Sequence, residues 1–240
     1  MIQIEHFTFN SFQTRCMVIW DKDGCCVFID PGFCTPSEKS ELTAFVASKG
    51  LKPACIMLTH AHFDHIYGVA ELMKEYEIPT YMHNREVQTI EEVNPILCKT
   101  FGLPVPKGFF ADAQKDKKDA QKDKESAQGV IFIKEGNKVE AGSLRFEVIE
   151  TPGHTVGGVC FLERNEKVLL SGDTLFAGAI GRTDHPGGDY DLIMKSIFEK
   201  LLHLDGDIKV FPGHGPATSI SDERMTNPFL LPFNEPYEEN

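Results

Sequence analysis

Residues 60–65 read His60-Ala61-His62-Phe63-Asp64-His65, three imidazoles and one carboxylate within six positions. Imidazole nitrogen and carboxylate oxygen together suit Zn, Fe and Mn. The run follows directly on residues 54–59, a short continuous apolar stretch of the kind that forms a buried strand. A loop leaving a strand end can turn alternate side chains onto one point, whereas a solvated surface has no reason to crowd them. The pattern therefore reads as a set of metal ligands rather than as a chance polar loop.

Such a loop needs a frame. Residues 2–9 and 14–20 alternate or run apolar and read as strands. Asp21-Lys22-Asp23-Gly24 marks a turn, residues 25–30 form the returning strand, and Asp30-Pro31-Gly32 ends it. Residues 36–49 have helical spacing, with Leu42, Phe45 and Val46 on one face and Gly50 as the stop. Beyond the histidines, residues 67–76 read as a helix and 80–82 as a short strand, with a looser strand–helix alternation through Cys98. The second half repeats the rhythm, with strands at 130–133, 144–149, 159–162, 168–170 and 208–211. A helix spans 190–203, its apolar stripe made by Leu192, Ile193, Ile197, Leu201 and Leu202. Strand-rich halves that each carry helices predict an α/β protein of two packed sheets with helices outside. One domain over residues 1–240 is the simplest count for a chain of 240 residues, 41% of them hydrophobic.

With the histidine run placed after a buried strand, the sequence resembles the metallo-β-lactamase superfamily. That family takes further ligands from distant loops that follow strands. Here Thr151-Pro152-Gly153-His154-Thr155, Ser171-Gly172-Asp173-Thr174 and Phe211-Pro212-Gly213-His214-Gly215 each follow a predicted strand and set the ligand beside glycine. The resemblance runs from about residue 2 to residue 230. It implies an αββα sandwich, two mixed β-sheets face to face with helices on the outer faces. It also implies two divalent ions, zinc first, with iron or manganese as alternatives. His60, His62 and His154 would hold one ion, Asp64, His65 and His214 the other, and Asp173 would bridge them. Asp30 resembles the family's early buried aspartate, which supports the metal loop, although it also reads simply as a turn residue. His6, His83, His185 and His203 belong to no ligand motif.

The chemistry implied is hydrolysis. A hydroxide shared by the ions attacks a carbonyl, Asp173 lowers the repulsion between the cations, and Asp64 adds a second negative charge. Residues 175–188 narrow the substrate. Gly181-Arg182-Thr183-Asp184 is similar to a run found in glyoxalase II-like proteins and in persulfide dioxygenases. Pro186-Gly187-Gly188 and the tail Arg224-Met225-Thr226-Asn227-Pro228-Phe229-Leu230 look more like the short glyoxalase II-like hydrolases. The expectation is a hydroxyacylglutathione hydrolase-like enzyme acting on a small-molecule thioester or related acyl substrate. Arg182 and Thr183 are its candidate substrate contacts; Arg182 alternatively locks its loop through a buried acid. Only 26 residues follow His214, too few for the helical domain with which glyoxalase II proper binds glutathione. Three rivals stand beside this reading. They are a mononuclear Fe(II) persulfide dioxygenase using His60, His154 and Asp173, a lactone or ester hydrolase, and a non-catalytic metal-binding protein. A true β-lactamase is disfavoured, since many of those enzymes use Cys or no bridging ligand where Asp173 stands.

Composition excludes other classes. A formal net charge of −12 repels phosphate backbones and argues against a nucleic-acid partner. No window approaches the roughly 18–20 apolar residues of a membrane span. The first residues lack a basic then apolar leader pattern, so the expectation is a cytoplasmic protein. The seven cysteines are odd in number and scattered through apolar runs, and read as small buried hydrophobes, with Cys25-Cys26 and Cys34 as the candidates for reactive thiols. Residues 112–118 are repeated almost perfectly as 119–125, within a charged low-complexity insertion at about 111–128. With no apolar residue larger than alanine it cannot bury a face, so it reads as a solvated or disordered surface insertion, or as a lid or partner contact. The sequence carries no signal of oligomeric state. Elemental analysis of protein purified from its native source separates the leading readings. About two metal ions per chain are expected for the hydrolase, and about one iron with no second metal taken up would put the dioxygenase first.

Overall fold

The computed structural model describes residues 1–106, 108 and 129–231; the duplicated charged segment expected at 111–128 lies outside them. Two six-stranded sheets form the frame. The first has the order β1 (Gln3–Phe9), β2 (Thr14–Trp20), β3 (Cys25–Ile29), β4 (Lys52–Met57), β5 (Thr80–His83), β6 (Val130–Ile133). It is antiparallel through β3 and parallel from β3 to β6. The second contains β7 (Lys138–Ala141), β8 (Leu144–Glu150), β9 (Val159–Glu163), β10 (Val168–Gly172), β13 (Lys209–Pro212) and β14 (Thr218–Ser219), in the order β14-β13-β10-β9-β8-β7. Only the β10–β13 pair is parallel there. A small hairpin, β11 (Leu175–Phe176) with β12 (Ala179–Ile180), stands apart.

The two-residue period of the strands sorts side chains into three apolar layers. In β2, Cys16 and Val18 join an outer cluster with Leu42, Val46, Val69 and Leu72. Their neighbours Met17 and Ile19 face the other way, into a cluster between the sheets with Met57, Phe146, Phe161 and Leu170. In β8 the same alternation sends Phe146 and Val148 inward, while Ile149 packs outward with Ile193, Ile197 and Leu201. The result is the helix–sheet–sheet–helix layering expected from the sequence, with mixed sheets in the middle.

Helix α1 (Pro36–Ser48) starts on a capping box: Thr35 Oγ1 accepts from the Glu38 N–H, and the Glu38 carboxylate accepts from the Thr35 N–H. Glu38 also accepts the Asn10 N–H at 2.6 Å, so one cap residue ties the β1–β2 turn to the helix. Leu42 and Val46 are buried, and Phe45 packs against their cluster.

Several local expectations need correction. The helix expected at 67–76 is α3 (Val69–Tyr76), and an unexpected short helix α2 (Phe63–Ile66) precedes it, so the end of the histidine run is itself helical. Where strand–helix alternation was expected, Glu86–Gln88, a π turn at Thr89–Val93 and Asn94–Phe101 follow one another as continuous helical structure. In the helical stretch beginning at Tyr190, Leu192 leaves the predicted stripe and is 42% exposed, while Ile193, Ile197 and Leu201 are buried. Five cysteines are buried, as expected of small hydrophobes, and all seven are free. Of the candidate reactive thiols, Cys26 is buried and Cys34 exposed. Burial and, for Cys34, the nearby Glu38 carboxylate raise these thiols, which disfavours the thiolate. Among the described residues no helix is long and apolar enough to cross a membrane.

The layer between the sheets makes a direct prediction. Phe146→Ala should cost about 3–5 kcal/mol in urea unfolding, because the fully buried ring leaves a cavity. Phe132→Ala, at a 48% exposed position, should cost far less.

Candidate metal centre

Parallel β3 and β4 end side by side, with Ile29 in register with Met57, and the next residues build the floor of the site. Asp30 follows β3 with a left-handed φ of 47°, a conformation aspartate tolerates better than most residues. Its Oδ1 accepts the Thr59 N–H at 2.8 Å, and its Oδ2 accepts the Thr59 hydroxyl at 2.5 Å and faces His65 Nδ1 at 3.1 Å. The loop that begins at His60 is thus fixed at both ends by one buried carboxylate. Asp64 is held by the Thr14 hydroxyl, which donates to its Oδ2 at 2.6 Å. Asn10 Nδ2 donates to the Asp64 and Gly32 carbonyls.

The second sheet supplies the rest. His154 follows β8, and parallel β10 and β13 place Asp173 and His214 just beyond adjacent strand ends, with Gly172 opposite Pro212. Gly213 is required by the close approach of these loops: a Cβ there would lie 2.2 Å from Asp173 Oδ1 and 2.8 Å from His65 Cε1.

All seven predicted ligands come together, in two groups. His60, His62 and His154 bring one nitrogen each within 4.8 Å of one another, an Asp64 oxygen and the His65 and His214 nitrogens do the same, and an Asp30 oxygen lies equally close to His60 and His65. Between them, Asp173 Oδ2 lies 3.5 Å from His154 Nε2 and 3.3 Å from His214 Nε2, with Oδ1 3.6 Å from His65 Nε2. Six of the seven residues are buried, and the His214 side chain, 27% exposed, forms the open edge.

The orientation of the rings is informative. Four of the five histidines are anchored at Nδ1. His60 faces the Thr59 hydroxyl at 3.1 Å, His65 faces Asp30, His154 faces the Arg182 carbonyl at 2.8 Å and His214 the Phe12 carbonyl at 3.1 Å. An Nδ1–H given to an oxygen leaves the Nε2 lone pair free to bind a cation. His62 is the exception, presenting Nδ1 instead, 2.9 Å from His154 Nε2. His65 Nε2 and His214 Nε2 meet at 3.2 Å. His60 Nε2 and Asp173 Oδ1 are buried without a hydrogen-bond partner. Buried polar atoms are normally satisfied, and ring nitrogens crowded together want a cation in common. The donor set, imidazole nitrogens with two carboxylates, fits divalent transition ions.

Electrostatics separate the two groups. Burial pushes His60 and His62 well below the ordinary imidazole value and lowers His154 too. Burial also opposes charge on His65, but Asp64, Asp173 and Asp30 outweigh it and raise the ring to about 10. His214 is raised in the same way, burial losing to Asp173. Asp173, despite burial, is held well below the carboxylate range by His65 and His214.

Of the proposed substrate contacts, Arg182 forks onto exposed Asp184 at 2.7 and 2.9 Å, and its carbonyl, not its guanidinium, touches His154. Thr183 is half-buried in the same loop. His185, outside every ligand motif, packs edge-on against His62 and His154 with ring centres 4.8 and 5.0 Å away. Sequence reasoning also missed Thr14, Asn10, Glu86 and Asn94. Glu86 accepts the Ala61 N–H, and Asn94 Nδ2 donates to the Ala61 carbonyl. Lone polar residues in a strand, a turn or a helix leave no motif by which to find them. Phe12, Phe63 and Phe101 form an aromatic wall beside the second group, with centroids 5.1–6.1 Å apart.

Known proteins resemble this chain over most of its length. The family model for the metallo-beta-lactamase superfamily matches residues 10–214. The chain is 34% identical to "Hydroxyacylglutathione hydrolase GloC" of Haemophilus influenzae over 95% of its own length and 98% of that protein. Among solved structures it is similar to the BLEG-1 B3 metallo-beta-lactamase, with 33% identity, a TM-score of 0.80, and coverage of 95% and 99%. It is also similar to TTHA1623 in a di-iron-bound form, with 33% identity, a TM-score of 0.76, and coverage of 94% and 100%.

The contrast in protonation predicts how an ion would load. The ion-free protein keeps a proton on His65 up to about pH 10, so an ion entering the second group must displace it. The first group, neutral at pH 7, has none to release. Calorimetric zinc titration in buffers of different ionisation enthalpy should show proton release with one equivalent only. That equivalent should weaken as pH falls from 8 to 6, and equal release from both would contradict the assignment.

Proposed function

This chain belongs to the metallo-beta-lactamase superfamily, and we propose that within it the protein hydrolyses thioesters of the hydroxyacylglutathione kind. The observation that carries the reading is the pair of ligand groups joined through Asp173. The full-length similarity to GloC supports the substrate class. His60, His62 and His154 would hold one ion and Asp64, His65 and His214 the other, zinc being our first assignment and iron the second, since TTHA1623 carries two irons. Bound there, divalent ions supply an acidified water and polarise a carbonyl oxygen.

The chain's own groups do the rest. Asp173, buried between the groups, offsets positive charge on both sides, and Asp64, fixed by Thr14, adds to the second. The Nδ1 atoms of His60, His65, His154 and His214 are each committed to an oxygen. None of these imidazoles has a proton to spare for a leaving group. That favours a thiolate, whose parent thiol has a pKa of about 8.5 and departs without an acid, over an amide nitrogen. Substrate approaches over the His214 edge, where Phe12, Phe63 and Phe101 exclude water on one side. Arg182 and Thr183 stand on the rim by the first group, where a substrate carboxylate would compete with Asp184 for the guanidinium.

Opening of a β-lactam ring is the second reading, favoured by the similarity to BLEG-1. Assays of a hydroxyacylglutathione thioester and a chromogenic cephalosporin, run on the same two-metal preparation, separate them. The thioester should turn over faster, and Asp64→Asn should lower its kcat/KM by about 10²–10³-fold. Cephalosporin turnover without thioester turnover would replace the first reading by the second. Oxygen consumption with a persulfide would replace both.

A further inference from the structure

The sequence motifs do not account for a buried carboxylate that touches two ligand-bearing loops at once. Glu86 is 1% exposed. Its Oε2 accepts the N–H of Ala61, between His60 and His62, at 2.6 Å. Its Oε1 accepts the Thr155 hydroxyl at 2.7 Å and the Gly157 N–H at 2.9 Å, in the loop just after His154. We infer that Glu86 is a positioning residue for the first metal group: it spans the two loops that carry His60, His62 and His154 and sets the separation of their ring nitrogens.

Helical geometry explains how one segment reaches both faces of the loop. Asn94, also 1% exposed, donates from Nδ2 to the Ala61 carbonyl at 2.9 Å and accepts the Phe63 N–H at 3.0 Å. At roughly 100° per residue, positions eight apart on a regular α-helix point about 80° away from each other. The π turn at Thr89–Val93 lies between Glu86 and Asn94, and its wider i→i+5 winding takes up that difference. Both side chains therefore grip the same residue, Glu86 at the Ala61 N–H and Asn94 at the Ala61 carbonyl. Gly157 completes the contact, since a Cβ there would sit 2.9 Å from Glu86 Oε1.

The chemistry calls for a carboxylate. Three donors from the two ligand-bearing loops converge on two oxygens, with the Thr89 hydroxyl a further donor from the helical segment of Glu86 itself, and neither oxygen belongs to the ligand groups. An amide has a single oxygen and an NH₂, so Glu86→Gln must turn a donor toward either Ala61 or the Thr155–Gly157 pair. Outer partners of this kind typically govern metal affinity by about 10–100-fold. A carboxylate that merely served folding would lower stability without choosing between the two ions.

The inference rests on the reading that the first group holds an ion, and its test is binding rather than turnover. Zinc affinity is measured by chelator competition in two backgrounds, His214→Ala to isolate the first group and His62→Ala to isolate the second. The ion-free melting temperature is followed in parallel. Glu86→Gln is expected to weaken the first group by about 10–100-fold and leave the second unchanged. Thr155→Val, which removes one of the three donors, should weaken the same group less, and Thr155→Ser should restore it. Equal weakening of both groups, or unchanged affinity with only a lower melting temperature, overturns the inference. If Glu86→Gln does not fold, the Thr155 pair decides it, unchanged affinity in Thr155→Val counting against. A wild type that binds a single ion in the first group sinks the two-metal hydrolase yet still tests Glu86. One that binds none removes both.

Discussion

Asp30 stands outside the two groups that Asp173 joins, although its carboxylate lies within 4.8 Å of ring nitrogens of His60 and His65, and the site depends on it. Five imidazoles and two carboxylates converge in a mostly dry space, and each must be aimed before any ion arrives. Asp30 sits where β3 stops and faces Thr59, two residues beyond the end of its parallel neighbour β4. Its two oxygens take the Thr59 N–H, the Thr59 hydroxyl and the His65 ring. The Thr59 hydroxyl, with its proton given to Asp30, is left to accept from His60. One carboxylate thereby fixes the tautomers of two histidines that belong to different groups. The positive φ at Asp30 is a local strain of about 1–3 kcal/mol, sustained because the surrounding contacts over-determine it.

The sheets perform the same service at larger scale. Functional groups in open α/β sheets gather beyond the carboxyl ends of strands, and here neighbouring parallel strands deliver them in pairs. β3 and β4 bring Asp30 beside the histidine loop, and β10 and β13 bring Asp173 beside His214. Parallel neighbours end at the same level, so the spacing of such a pair is inherited from the hydrogen-bond ladder rather than from flexible side chains. The tail reinforces this arrangement. Glu223 accepts the Gly178 N–H and Asn227 donates to the Ala179 carbonyl, pinning the hairpin that leads from Asp173 to the Arg182 loop. This gives a physical role to the Arg224–Leu230 stretch that the sequence could flag only by resemblance.

Much of this was legible in advance because it is written in local patterns. The strands declared themselves through two-residue alternation, and Met17 and Val18 do point to opposite layers. The histidine run was legible because six consecutive residues carry it. What escaped had no local pattern. β14 and the β11–β12 hairpin have two residues per strand, too short for any period to show. Residues 86–101 were misread because a π turn breaks the 3.6-residue rhythm in the middle. Leu192 looked like part of a stripe, but the buried face of this helix is centred on Ile193, Met194, Ile197 and Leu201, and Leu192 falls at its edge, 42% exposed. Glu86, Asn94, Asn10 and Thr14 act through partners 22 to 71 positions away in sequence, and only the folded chain brings those together.

The division of ligands between the sheets has a consequence for the mechanics of the whole molecule. Each group takes two ligands from the loop of the first sheet and one from the second: His60 and His62 with His154, and Asp64 and His65 with His214. An ion in either group is therefore a rivet through the sandwich, crossing the same interface that Phe146 and Phe161 fill with hydrocarbon. Because such an ion binds only the assembled sandwich, its occupancy resists unfolding by mass action, by about 4 kcal/mol at a thousandfold excess over its dissociation constant. Such an ion would oppose shear between the two halves at the very edge where the seven side chains converge.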